Sequence, residues 1–327
     1  MSKTYFHIKN LEVAFQTYKG EKPVLKIDEI KIEKGESYGL IGESGTGKTV
    51  LALSILKLIE MPPGKIKSGE IFLDGEDLLK KTQKEMQSKI RGKKVAMIFQ
   101  DPMSTLNPVF TVGKQLINVI MENQKVSKKE ANNRAIEIIN KVKLSDAERT
   151  MDKYPHELSG GQRQRIIIAM ALSCGAEFII ADEPTRNLDV TIQAGILKLI
   201  KEMQDEFKVT VLFIANNPEL VSVTCKNLSI LYKGEIIERG TTEEVLRNPK
   251  HPYTYMLLNA VPKDKSTRID LSKMVSKNDG ELIETGCTYY NRCNKKKVEC
   301  KSIQIVNHIG GTHYVKCRCY EEDINNE

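Results

Sequence analysis

The eight residues Gly42-Glu43-Ser44-Gly45-Thr46-Gly47-Lys48-Thr49 constrain this chain more than any other stretch. Their glycines let the backbone turn tightly enough for several N–H groups to point at one place. An apolar strand-like run, Ser37 to Ile41, comes before them, and a helical pattern from Lys48 to Ile59 follows. A glycine-rich loop between a strand and a helix is a phosphate cradle of the P-loop kind. Its amides and the partial positive charge of the helix N-terminus both favour an anion. Lys48 is placed to reach the β- and γ-phosphates of a nucleotide, and the Thr49 hydroxyl to ligate Mg²⁺. Gly42 to Thr49 are therefore the expected nucleotide-binding residues, while the loop alone leaves kinases, GTPases and motors open.

The rest of the chain reads as the framework such a loop needs. Ile8 to Phe15 and Ile27 to Ile32 look like strands of a small antiparallel sheet. Lys94 to Phe99, Phe178 to Ala181 and Thr210 to Ile214 are short, bounded apolar runs, and helical patterns separate them. Thr111 to Lys143 is mostly helical with a polar break near Lys125, and Thr191 to Glu206 is the clearest single helix. Strands alternating with helices predict an α/β fold with a parallel sheet covered on both faces. Leu228 to Tyr232 and Glu235 to Glu238, joined at Lys233-Gly234, predict a hairpin. Lys263 to Gly280 is polar and weakly periodic and reads as a linker to a cysteine-rich tail. No internal repeat is visible, so one nucleotide-binding unit is expected.

Composition narrows the function classes. The 50 Lys+Arg against 43 Asp+Glu give a net charge of +7, a mild excess that chooses no partner by itself. Basic residues crowd the tail at Lys295-Lys296-Lys297, with few aromatics to stack bases, so a nucleic-acid platform is poorly supported. The N-terminus lacks the apolar segment of a signal peptide. The longest apolar stretch, Ile166 to Ala181, is interrupted by Ser173-Cys174-Gly175 and Glu177, too polar to cross a bilayer. A cytosolic chain is expected, reaching any membrane through a partner. Cys174 and Cys225 stand alone in apolar surroundings and read as buried thiols.

Two further motifs carry chemistry. Phe178-Ile179-Ile180-Ala181 leads into Asp182-Glu183, an acidic pair at the end of a buried strand. Asp182 is placed to hold Mg²⁺ and Glu183 to polarise an attacking water. Between this pair and the P-loop lies Leu158-Ser159-Gly160-Gly161-Gln162, ahead of an apolar helix. This stretch resembles the signature sequence of ABC proteins. The resemblance implies that Ser159, Gly160, Gly161 and Gln162 cap the γ-phosphate of ATP held by the P-loop of an opposing subunit. Gln100, after the strand Val95 to Phe99, matches the Q-loop glutamine, which contacts Mg²⁺ and the attacking water. Asp189 matches the end of the D-loop, and Phe15, with Tyr18 second, is the candidate to stack on adenine.

The resemblance narrows to peptide importers. Phe99 to Pro108, Ala181 to Thr185, Leu188 to Gln193 and the segment His251-Pro252-Tyr253-Thr254 running to Pro262 are similar to the D-type ATP-binding subunit of oligopeptide, dipeptide or nickel ABC importers. The resemblance implies an ABC-type nucleotide-binding domain over 1–250, with a small antiparallel β-subdomain and a helical subdomain at about 101–175. A cysteine-rich extension spans 251–327. It implies an ATPase on the cytoplasmic face of the membrane, using Mg²⁺ and ATP, with Gly42 to Thr49 as its ATP-binding residues. Its partners would be a second, different ATPase subunit, two permeases and, indirectly, an extracytoplasmic solute-binding protein. A ribosome-acting ABC protein usually carries two cassettes and a DNA-repair one a long coiled coil, and neither is visible here.

Some members of this family carry an iron–sulfur cluster on tail cysteines. Cys287, Cys293, Cys300 and Cys317 would supply four thiolates, which suit a [4Fe–4S] cluster or Zn²⁺, with free thiols as the alternative. Cys319 is then spare, and His313 is a further ligand that four thiolates do not need.

The chain departs from the family at Ala215-Asn216-Asn217, where Thr-His-Asp is usual. Asn216 stands at the switch-histidine position, so it is the third candidate catalytic residue beside Glu183 and Gln100. It can donate a hydrogen bond but cannot carry charge or relay a proton. Arg186-Asn187 also stand where small D-loop residues are usual. The expectation is a site that binds ATP and turns it over poorly, with the alternative that Asn216 substitutes adequately. A structural or regulatory subunit with little hydrolysis is the competing reading.

Overall fold

A computed structural model of the protein describes residues 4–260 and 285–320. The predicted linker from Lys263 to Gly280 lies outside them. The central strands are β3 (Ser37–Ile41), β6 (Val95–Ile98), β7 (Phe178–Asp182), β8 (Thr210–Ala215) and β9 (Asn227–Tyr232). They lie parallel in the order β9-β3-β8-β7-β6. Every residue of β3, β7 and β8 is buried. That explains their unbroken apolar sequences, because a parallel sheet covered on both faces exposes neither set of side chains.

The period-2 alternation divides these strands between two cores. Phe178 and Ile180 of β7, with Leu212 and Ile214 of β8, pack against Leu51, Ala52 and Ile55 of the helix Lys48–Ile55. Ile179, Ala181, Val211 and Phe213 point the other way, towards Ile196, Leu199 and Met203 of the helix Val190–Phe207. The P-loop helix and the D-loop helix are therefore held on opposite faces of one sheet. All the strand C-termini that bear chemistry end at the same edge.

The antiparallel part consists of β1 (Thr4–Thr17), β2 (Gly20–Glu33), β4 (Gly64–Leu73) and the two-residue β5 (Glu76–Asp77), in the order β5-β4-β1-β2. The strand β10 (Glu235–Thr241) joins the two parts: it runs antiparallel to β9 and bridges β2 at Glu235. The predicted hairpin at Lys233-Gly234 is thus present. β4 was not legible as a strand, because its segment Gly64 to Ser68 is polar and mostly open to solvent.

Thr111 to Lys143 is two helices, Val112–Gln124 and Lys128–Lys141. Lys125 ends the first in a left-handed conformation (φ +53°), and the Ser127 hydroxyl caps the second. With Ala147–Asp152 and Gly160–Ser173 they form a helical layer whose core includes Leu116, Ile120, Ile139 and Ile166. The helix predicted to run to Ile59 stops at Ile55. Among the described residues no helix is long and apolar enough to cross a membrane.

The cysteine-rich tail is stitched into this framework. A hairpin of β11 (Asn307–Gly310) and β12 (His313–Val315) adds to β10, pairing Glu238 with Val315. Glu238, 1% exposed, accepts hydrogen bonds from the Lys250 and His251 amides (2.7 and 2.9 Å) and pairs with His313 Nε2 at 2.7 Å. A buried carboxylate is costly unless every lone pair is used. Here it ties the hairpin and the His251-Pro252-Tyr253-Thr254 segment to one strand.

Candidate nucleotide site

The P-loop leaves β3 and enters the helix Lys48–Ile55 with Gly45 and Gly47 at φ +82° and +106°. Gly42 is required for a different reason. A Cβ there would lie 2.3 Å from the Leu231 carbonyl oxygen and 2.8 Å from Thr46 Oγ1. The loop is also braced from within. Lys48 Nζ donates to the carbonyls of Gly42 and Glu43 (both 2.9 Å), and Thr46 Oγ1 donates to the Glu43 carbonyl at 2.9 Å.

Lys48 is only 4% exposed, and burial pulls its ammonium below the ordinary lysine value, against the pull of Glu183 and Asp182. A cation whose charge burial opposes is stabilised by an anionic ligand. The open cavity in front of it, about 190 Å³, is lined by Ser44, Gly45, Lys48, Thr49, Gln100 and Glu183, among others. A polar, open cavity beside a lysine suits a phosphate chain.

The acidic pair closes the far side. Thr49 Oγ1 donates to Asp182 Oδ2 at 2.8 Å. Asp182 is 1% exposed, and its Oδ1 is buried without a hydrogen-bond partner among the described residues. Burial, opposed by the Thr49 hydrogen bond, raises its carboxyl above the usual aspartate value. An unpaired buried carboxylate oxygen beside a hydroxyl is a donor set that fits Mg²⁺. Gln100, expected as a third ligand, instead donates to Glu183 Oε2 at 2.8 Å.

Glu183 has a φ of +45°, rare for a residue with a side chain, and its amide is held by the Ile214 carbonyl at 2.9 Å. The turn aims its carboxylate into the pocket. Oε1 lies 3.8 Å from Lys48 Nζ, and Oε2 also accepts from Arg186 Nη1 at 3.2 Å. Asn216, at the end of β8, reaches Ser44 Oγ at 3.4 Å through Nδ2, while its Oδ1 is buried with no partner among the described residues.

Other expected residues lie elsewhere. Ser159 caps the helix Gly160–Ser173: its hydroxyl accepts from the Gln162 amide (3.3 Å), and Gln162 Oε1 accepts from the Ser159 amide (2.9 Å). Gly161 has a packing reason too, since a Cβ there would meet Ile192 Cγ2 at 2.7 Å. None of Ser159 to Gln162 lines the pocket of this chain's own P-loop. Asp189 caps the helix Val190–Phe207 by accepting from the Ile192 amide at 3.0 Å. Phe15 pairs with Lys22 and Gly64, half-buried against the β-sheet core and outside the pocket lining, where Val24 appears instead. Tyr18 is 94% exposed in the β1–β2 turn.

The tail cysteines do not form the expected ligand set. Among the described residues no three His, Cys, Asp or Glu side chains are grouped so as to hold a metal ion. Cys300, Cys317 and Cys319 share one buried cluster with Cys287 at its edge, and Cys293 packs towards the main core. Cys319, taken as spare, has its sulfur 3.9 Å from that of Cys300. Burial pushes the Cys287 thiol up to about 11 and raises those of Cys293 and Cys317 as well, and Cys287, Cys293, Cys300 and Cys317 lie close enough to act on one another's charge. Of the two isolated cysteines, Cys225 is buried and Cys174 half-buried.

Residues 25–186 match the family described as ABC transporter, and residues 237–300 match the oligopeptide/dipeptide transporter C-terminal region. The oligopeptide transport ATP-binding protein AppD of Bacillus subtilis is 39% identical over 329 residues, covering 98% of each chain. The chain belongs to the ATP-binding proteins of oligopeptide and dipeptide ABC transporters. The oligopeptide transport protein OppD of Bacillus subtilis is 44% identical over 260 residues, 80% of this chain and 72% of its own.

Among solved structures, cbiO1 from Clostridium perfringens superposes with a TM-score of 0.64 at 26% identity, over 79% of this chain and all of its own. The dimeric ATP-binding cassette MJ0796 bound to ADP and Pi has the same TM-score and identity over 72% of this chain and 98% of its own. This ABC-transporter ATP-binding protein is therefore an ATPase coupled to transport, within an oligopeptide/dipeptide importer.

Residues that the sequence reading did not assign also reach the site. Val24 and Arg186 line the pocket, and Tyr253 and Arg292 touch Glu43. The i,i+3 spacing of Arg186 from Glu183 is the sequence signal for this ion pair.

Proposed function

We propose that this subunit pairs with a second, different ATPase subunit on the cytoplasmic face of two permeases, and that its own P-loop binds ATP tightly but turns it over slowly. An extracytoplasmic solute-binding protein would deliver the peptide. The observation that carries the slow-site reading is the surroundings of Glu183. Its Oε2 is shared by Gln100 and Arg186, while Asn216, with an unpartnered buried Oδ1, stands where the family has a histidine.

The residues would act as follows. The loop amides and Lys48 bind and orient the β- and γ-phosphates. Thr49 and Asp182 would hold Mg²⁺, which would supply positive charge against the phosphates. Glu183 accepts the proton of the attacking water, and Gln100 orients the carboxylate and that water. The two hydrogen bonds that Oε2 accepts, from Gln100 and Arg186, lower its readiness to take that proton. Asn216 cannot pass a proton onward, which costs about 10²–10⁴ in rate where such a group is lost. Ser159 and the amides of Gly160 and Gly161 open a helix N-terminus away from this pocket, which suits them to the γ-phosphate at the partner's P-loop. ATP bound between the two subunits favours the closed pair, and hydrolysis releases it.

The test is Asn216→His in the purified complex with its permeases. The slow-site reading expects a clear gain in ATPase rate with little change in ATP affinity; an unchanged rate contradicts it. A wild-type rate near zero even with permeases and peptide present would favour the regulatory-subunit reading. Peptide is the proposed cargo, with nickel or a metal chelate as the alternatives. Identifying the ligand on the purified solute-binding protein decides between them.

A further inference from the structure

The phosphate loop has an external anchor that the nucleotide chemistry does not explain. The Glu43 side chain turns away from the pocket and is gripped by Arg292, from the cysteine-rich extension and 249 residues distant. Arg292 Nη1 donates to Glu43 Oε2 at 3.0 Å and Nη2 to Oε1 at 3.2 Å, a fork-on-fork pair. The guanidinium is 19% exposed and sits beside the rings of Tyr232 and Tyr289, 5.8 and 5.6 Å from their centroids. The same residue of the loop has a second tie: the Glu43 amide donates to the Tyr253 hydroxyl at 3.0 Å, and Tyr253 is fully buried.

We infer that Arg292 is a positioning residue for the ATP site, acting through Glu43, so that the cysteine-rich extension helps set this subunit's affinity for nucleotide. Two physical effects run in the same direction. First, the Glu43 carbonyl accepts from both Lys48 and Thr46, so whatever fixes Glu43 fixes the loop's internal bracing. An amide cradle already in its binding shape pays less ordering entropy when the phosphates arrive. Second, the Glu43 carboxylate stands next to a site that must accept a triphosphate. Arg292 neutralises that charge, and its loss would leave an uncompensated carboxylate behind the loop that must accept a polyanion.

The planar fork is suited to this task, and a lysine would keep the charge without the two-point grip. The inference rests on the reading of the loop as an ATP site, and the experiment separates the two. ATP affinity of the full-length chain, and KM and kcat of the assembled complex, are measured for wild type, Arg292→Ala, Arg292→Lys, Glu43→Ala and Arg292→Ala/Glu43→Ala.

Loss of a charge-assisted pair predicts that Arg292→Ala raises this subunit's Kd for ATP about tenfold with the kcat of the complex within about twofold. Arg292→Lys falls between it and wild type. Because both residues act as one unit, the double variant is no worse than the worse single variant. A wild-type Kd for ATP in Arg292→Ala, or a double variant whose defect in Kd is the product of the singles, overturns the inference. If Arg292→Ala does not fold, Arg292→Lys and Glu43→Ala decide: wild-type affinity in both overturns it. A wild-type chain that binds no ATP would instead remove the underlying ATP-site reading.

Discussion

Replacing Asp182 by asparagine should make the nucleotide-free protein more stable while removing its response to magnesium. The carboxylate is 1% exposed, and among the described residues its Oδ2 has a partner, the Thr49 hydroxyl at 2.8 Å. Oδ1 is buried and unpaired among the described residues. A buried polar atom left unsatisfied costs about 1–3 kcal/mol, and a charged one lies at the upper end or beyond. Asparagine has nearly the same volume and keeps an oxygen for Thr49. Its amide would also be short of a partner, but a neutral amide is cheaper to bury than an anion. The net gain is therefore about 1–2 kcal/mol, or roughly 2–8 °C in melting temperature for a domain of this size.

The assay is thermal unfolding of both proteins, without ligand and then with ATP, with and without MgCl₂. Wild type should melt lower than Asp182→Asn without ligand and gain more from Mg²⁺ when ATP is present. If the variant melts below wild type without ligand, the carboxylate is not an energetic liability held for a cation, and the site has been misread.

Arg186→Ser should raise the ATPase rate of the complex about two- to fivefold, the factor that corresponds to the 0.5–1 kcal/mol of a half-exposed ion pair released from Glu183; a fall in kcat would show that Arg186 assists the reaction. Gly161→Ala should destabilise the fold by about 1–3 kcal/mol, because the new methyl meets Ile192 Cγ2 at 2.7 Å, and it should slow the partner's site in a mixed complex. Glu244 accepts hydrogen bonds from Thr241 and Thr312, and despite the opposing effect of burial these hold its carboxyl down to about 2. A depressed folded value means stability that is complete above the unfolded value of 4.5 and is lost as pH falls towards 2. Glu244→Gln should therefore cost roughly 1–2 kcal/mol at neutral pH and less in acid, read from urea unfolding at several pH values.

The parts of the site that were legible in the sequence are those whose chemistry is local. Gly45 and Gly47 are written as glycine because their φ is positive, and the run Phe178 to Ala181 is apolar because both faces of β7 are covered. Ser159 and Gln162 announce a helix start through a reciprocal cap that any sequence can display. What could not be read is what depends on distant pairing. Nothing near Arg292 says that it will meet Glu43, and nothing in Lys65 to Ser68 marks a strand, because β4 is held by β1 rather than by its own apolar pattern. Nor could the spacing say that Cys319 would meet Cys300, because the hairpin β11–β12 is what folds the chain back there.

The central claim is that nucleotide held at Lys48 drives peptide movement through the partner subunits. The direct measurement is ATP-dependent uptake of a labelled peptide by vesicles carrying the assembled complex, with the peptide-binding protein on the opposite side. The account predicts uptake that needs Mg²⁺ and ATP and is abolished by Lys48→Ala in this subunit alone. Undiminished uptake with Lys48→Ala would contradict it.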